Sequence, residues 1–142
     1  MKLHLGVVDV GYSGEEGGKT TGDVAEILED KYHIMRIFYE LNEGYIGDQI
    51  ANSLAGSLES LAQGRPYNPS LLKPAIPKVD ERFRDFLSSG EMSKILPATQ
   101  QIAAAKAGVS HRKKQPYSKK NKARQAFIDT GLYQSSFRSW VD

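Results

Sequence analysis

Between Asn42 and Gly64 the apolar residues Ile46, Ile50, Leu54, Leu58 and Leu61 recur every three or four positions, with Ala51, Ala55 and Ala62 beside them. That spacing lines them along one side of a 3.6-residue turn, so the segment is predicted to be an amphipathic helix. Just upstream, YHIMRIFYEL carries Ile34, Ile37, Phe38 and Leu41 at helical spacing, although its aromatic and β-branched content would also suit a buried strand. Helix is the favoured reading, which gives one long element from Tyr32 to Gly64. Gly64 enters the left-handed conformation at little cost and Pro66 follows two positions later, so the helix is expected to stop there. Gly47 and Gly56 inside it each cost about 1 kcal/mol relative to alanine. Close approach of another backbone would explain them, as would simple tolerance.

The rest of the chain is patterned more weakly. KLHLGVVDVGY reads as a strand, with Leu3, Leu5 and Val7 alternating with Lys2, His4 and Gly6. SGEEGGKTTGD is a loop, and Thr20, Thr21 or Asp23 can cap a helix beginning near Val24, on which Val24, Ile27, Leu28 and Tyr32 share a side. Residues 65–79 hold four prolines and read as an extended connection. DERFRDFLSSG is expected to form a short helix capped by Asp80, burying Phe83, Phe86 and Leu87 and ending at Gly90. A further helix is expected from about Ala98 to Ala107. Near the C-terminus, Asp129 and Thr130 can cap a turn begun at Gly131, and SSFRSWV reads as a strand with Phe137, Ser139 and Val141 on one face and Arg138 and Trp140 on the other.

At 142 residues the chain is read as a single domain, 1–142. Its 39% hydrophobic content is low enough to suggest that some of the chain is solvated, or is buried only against a partner. The net charge of +2 hides a division. Residues 1–64 hold 4 basic and 11 acidic side chains, net −7, and residues 65–142 hold 15 and 6, net +9. Such a dipole suits a basic surface meeting nucleic acid, or copies packed with the acidic half of one against the basic half of the next. Without cysteine there is neither a disulfide framework nor a thiolate metal site. The apolar run at the N-terminus is short and broken by His4 and Asp9, so neither a signal peptide nor a membrane span is expected.

Several segments imitate catalytic motifs. Gly18, Lys19 and Thr20 match the end of the phosphate-binding pattern G-x-x-x-x-G-K-[ST], but its first glycine is replaced by Ser13, and Glu15 and Glu16 put negative charge where phosphates would lie. GYSGE would need glycine at Glu15 to be a nucleophile elbow. His4, His33 and His111 lie far apart with no helical partner of metal-ligand type. Glu26, Glu29, Asp30, Glu40 and Glu43 read as a solvated or inter-subunit acidic face. No catalytic residue, metal site or cofactor is expected. From Lys106 to Arg124 the chain carries eight Lys or Arg and no acid, and reads as an exposed loop or arm. Arg112, Lys113, Lys114, Lys119, Lys120, Lys122 and Arg124 are the candidate contacts to DNA phosphates or to another subunit. Lacking a groove-reading motif, any nucleic-acid contact would be sequence-independent.

VVDVGYSGEEGGKTTGDVAEILED resembles the opening strand, glycine loop and first helix of the tail-completion, or head–tail joining, proteins of tailed bacteriophages. RQAFIDTGLYQSSF resembles that family's D-T-G-L element and the strand after it, with Gln125 and Ala126 where a proline is common. The long helix stands between them in the family's order. The resemblance implies an α+β fold, a small antiparallel sheet packed against a long helix with additional short helices and the basic arm. It also implies a non-enzymatic virion protein that is made in the host cytoplasm and forms a homo-oligomeric ring around the DNA exit channel. Its partners would be portal or adaptor and tail proteins, with non-specific contact to packaged DNA and no membrane. The alternative reading is a small sequence-independent nucleic-acid-binding protein using Lys106 to Arg124.

Overall fold

The computed structural model describes residues 2–11, 20–66, 70–96 and 131–142. In chain order the elements are β1 (Leu3–Val7), α1 (Thr21–Tyr32), α2 (Ile34–Ala62), α3 (Ile76–Ser88), α4 (Glu91–Ile95), α5 (Leu132–Ser136) and β2 (Phe137–Val141). The fold is α+β: β1 and β2 form a two-stranded antiparallel sheet, β2 lies against α3 and β1 against α1, and the long helix α2 packs on those two helices. Lys2 and Asp142 exchange backbone hydrogen bonds of 3.1 and 3.2 Å, so the two ends of the chain close the same sheet. The register pairs Leu3 with Val141, Leu5 with Ser139 and Val7 with Phe137.

Aromatic side chains join the layers. Phe38 from α2, Phe83 and Phe86 from α3, and Phe137 from β2 are all fully buried. Phe83 stacks on Phe137 with centroids 3.7 Å apart, and Phe38 meets Phe83 edge-on at 5.1 Å. Ile34, Val79, Leu87, Met92 and Tyr133 complete the centre, and Val24 and Leu28 of α1 and Leu3, Leu5 and Val7 of β1 pack against it half-buried. As expected, Phe137 and Ser139 are buried while Arg138 and Trp140 face solvent.

The helix ends follow local chemistry. Thr20 caps α1: its hydroxyl accepts from the Asp23 amide while the Asp23 carboxylate accepts from the Thr20 amide, a reciprocal capping box. His33, with φ 52°, separates α1 from α2 and turns the chain between them. Gly64, with φ 77°, follows the last turn of α2, and the Gly64 and Arg65 amides return to the carbonyls of Leu61 and Ser60, closing a Schellman motif.

Two sequence readings are narrowed and one is corrected. The apolar stripe of α2 is a helix face, but only Ile46 of its five large residues is buried. Ile50 and Leu54 are half-buried, whereas Leu58 and Leu61 are 67% and 42% exposed. The core instead takes Ile34, Phe38, Asn42 and Ile46, all in the first half of the helix. Among the described residues nothing lies within 4 Å of a β-carbon built on Gly47 or Gly56, which leaves tolerance as the reading of the two. Finally, α3 begins at Ile76 with Pro77 in its first turn, inside the span read as a connection, and Asp80 is a buried residue within the helix rather than its cap. The helix expected from Ala98 to Ala107 lies outside the described residues.

Candidate functional site

The loop that imitates a phosphate-binding motif ends on α1, and its described end is internally satisfied. Asp9, just beyond β1, accepts the Gly22 amide at 2.9 Å, so a carboxylate of the chain already occupies the positive end of the helix. A β-carbon on Gly22 would come within 2.8 Å of Asp9 Oδ1, which gives that glycine its steric reason. Hydrogen bonding from the Thr20 side chain, and then from the Gly22 amide, holds the Asp9 carboxyl below its usual range. Thr21 is fully buried; its hydroxyl donates to the Val8 carbonyl at 2.7 Å and accepts the Val10 amide at 2.8 Å. Thr20 and Thr21 therefore tie β1 to α1. Gly18 and Lys19 lie outside the described residues.

The acidic residues divide. Glu29, expected on a solvated face, is half-buried and reaches across the bend at His33 to accept the Met35 amide at 2.9 Å and the Arg36 amide at 3.2 Å. It supplies the capping acceptor at the start of α2 that His33 does not. Glu40 pairs with Arg36 one turn away at 3.2 Å. Glu26, Asp30 and Glu43 are exposed on α1 and α2 and remain the free part of the acidic face.

Two further surfaces were not singled out by the sequence. A groove of about 330 Å³ runs between the second half of α2 and residues beyond it, lined among others by Ser53, Ser57, Ser60, Pro66, Leu71 and Lys78. It sets hydroxyls, side-chain amides and one ammonium group beside leucine and proline, a mixed polar and apolar trough rather than a set of reacting groups. On the outward face of the sheet, His4 stacks on Trp140 with centroids 5.3 Å apart and planes 9° from parallel. His4 Nε2 lies 3.0 Å from Asp142 Oδ2. Alternation alone would have placed His4 and Trp140 on the solvent face, but their contact depends on the register between the two ends of the chain.

Arg112, Lys113, Lys114, Lys119, Lys120, Lys122, Arg124, Asp129 and Thr130 lie outside the described residues. Gly131 is described: with φ 75° it sits immediately before α5, as a turn-starting residue would. Among the described residues no cluster of three or more His, Asp or Glu could hold a metal ion. Among them, too, no helix is long and apolar enough to cross a membrane. Compared with known proteins, the chain matches no family model, no curated protein and no solved structure.

Proposed function

We propose that this chain is a structural virion subunit of the phage neck or tail junction, a head–tail joining or tail-completion protein that forms a ring around the DNA exit channel. One observation carries the reading. The two segments whose sequences resemble that family lie far apart in the chain, yet their described parts meet: Val7 pairs with Phe137 at the end of the β1–β2 ladder, and α1 packs against α5. The described parts of a resemblance split across the sequence thus lie side by side, which supports the reading.

The surface is compatible with assembly. The second half of α2 exposes Leu58 and Leu61, and Glu26, Asp30 and Glu43 are free to meet the basic half of another copy. A ring subunit uses two different patches, and faces of opposite sign can pair around a closed circle. Portal or adaptor and tail proteins would contact the two rims.

Solution size measurement combined with electron microscopy of the purified protein, alone and with its neighbouring portal and tail proteins, tests the reading. Rings, or incorporation at the neck of assembled particles, are expected. A protein that forms no ring under either condition, but is retained on DNA in a salt-sensitive manner, would replace this reading with sequence-independent nucleic-acid binding by Lys106 to Arg124.

A further inference from the structure

The two edges of the sheet are treated differently. Because Lys2 and Asp142 exchange both backbone hydrogen bonds, alternation makes His4 with Trp140 and Gly6 with Arg138 the bonded pairs of the ladder. The Val8 amide continues the series by donating to the Ser136 carbonyl at 2.8 Å. The N–H and C=O groups of Leu3, Leu5 and Val7 therefore point away from β2, and those of Phe137, Ser139 and Val141 point away from β1.

On the β2 side two of the outward groups are taken within the fold. The Ser139 amide donates to Asp80 of α3 at 2.8 Å, and the Phe137 carbonyl accepts from Arg138 Nη1 at 2.6 Å. On the β1 side, among the described residues, no hydrogen bond reaches the outward groups of Leu3, Leu5 or Val7. Nor does the strand, LHLGV, carry a proline or an inward charge of the kind that usually protects an edge. All five of its residues are half-buried, unlike the alternating burial of β2.

We propose that the open edge of β1 is a docking surface for β1 of a second copy of this chain, antiparallel about a two-fold axis through Leu5. The open groups are symmetric about Leu5. In that register Leu5 faces Leu5 of the second copy and Leu3 faces its Val7, so every outward N–H of Leu3, Leu5 and Val7 finds an outward carbonyl. The same register keeps leucine and valine together on the core side and continues the apolar layer under the sheet. On the solvent side, His4 of the second copy faces Gly6. A β-carbon on Gly6 would lie 3.0 Å from the Trp140 ring, and Trp140 is 49% exposed, so the incoming imidazole lands beside an available aromatic surface. Lys2 faces Val8, so no like charges are opposed. Parallel pairing, or a slip of two residues, leaves some of these groups without partners. The inference does not rest on the neck reading: a two-fold contact has no place inside a ring whose two rims meet different proteins, so the pair is a state of the free protein.

Amide-resolved hydrogen exchange on the full chain, together with sedimentation, tests it. The contact is short, so measurements should span concentrations from about 20 µM to about 1 mM. The His4 and Gly6 amides should be protected throughout, whereas those of Leu3, Leu5 and Val7 should gain protection only as dimer forms. Leu5→Pro removes an outward donor without removing a bond of the protein's own ladder, and should weaken dimerisation at least about tenfold while His4 and Gly6 stay protected. Should that variant lose their protection, Leu3→Pro at the strand start serves the same purpose. A monomer at the highest concentration with freely exchanging Leu5, a dimer that survives both substitutions, or an edge protected only by a different protein would each overturn the proposal.

Discussion

Asp80 Oδ1 accepts two hydrogen bonds from Ser139, one from its amide at 2.8 Å and one from its hydroxyl at 2.6 Å. Both residues are buried, and 59 positions separate them in the chain. The carboxylate fastens the last strand to the helix beneath it. Asp80→Ala would leave a buried N–H without an acceptor and is expected to cost about 2–3 kcal/mol of unfolding free energy. Asp80→Asn, which keeps a carbonyl oxygen, should cost less. Urea denaturation of the two variants checks the order, and equal losses would show that an acceptor oxygen without the negative charge does not satisfy Ser139.

The aromatic centre and the helical stripe make opposite demands on α2. Phe38→Ala empties a fully buried site against Phe83 and Phe137 and should destabilise by about 3–5 kcal/mol. Leu58→Ala, at a residue belonging to the most regular apolar pattern in the sequence, should cost less than about 0.5 kcal/mol in the isolated subunit. A large loss for Leu58→Ala in a monomer would mean that the face is covered within the chain.

Capping residues around α1 and α2 should show smaller, separable effects. Thr20→Ala removes the capping box and is expected to cost about 1 kcal/mol. Glu29→Gln keeps the side-chain oxygen but removes the charge from the start of α2, with an expected loss of about 0.3–1 kcal/mol that shrinks as salt is added. Thermal melts at low and high ionic strength distinguish the two.

Arg82 holds Glu91 with two hydrogen bonds of 3.0 and 2.9 Å, and Ser89 donates a third to the same carboxylate. The Arg82 guanidinium, and then the Ser89 hydroxyl, keep the Glu91 carboxyl below its ordinary value near 4.5. The native state therefore binds fewer protons at Glu91 than the unfolded chain does. The stabilisation is complete above the unfolded pKa and disappears as pH falls through the depressed native one. Both side chains are about a third exposed, so the pair is worth less than about 1 kcal/mol. Glu91→Gln should lower stability at neutral pH and flatten its decline in the acid range, as followed by urea denaturation across pH.

If opposite charges pair around a ring, changing Lys113, Lys114, Lys119 and Lys120 together to Glu should weaken assembly, most visibly at low salt. Unchanged ring formation in that variant would remove charge pairing as the organising contact.

Much of the secondary structure was legible because its causes are local. The alternation of Leu3, Leu5 and Val7, the cap at Thr20, the stop at Gly64 and the faces of the final strand each depend on residues a few positions apart. The bend at His33 left no such mark, since no glycine or proline announces it and Glu29 stabilises it from the preceding helix. The open edge of β1 left none either, because a strand's outward groups are defined only by the partner that takes the inward ones.

By itself, then, the sequence determined that the first strand, the long helix and the last strand form and which of their side chains share a face, since a period of 3.6 or 2 fixes that without reference to the rest of the molecule. Only tertiary structure decided which face is covered and how far along. It buries the start of α2 against Phe83, Phe86 and Phe137 and leaves Leu58 and Leu61 outside, and it turns Asp80 from an apparent cap into the anchor of a strand 59 residues away. Burial and long-range hydrogen bonds depend on what folds back against an element, and a local pattern carries no information about that.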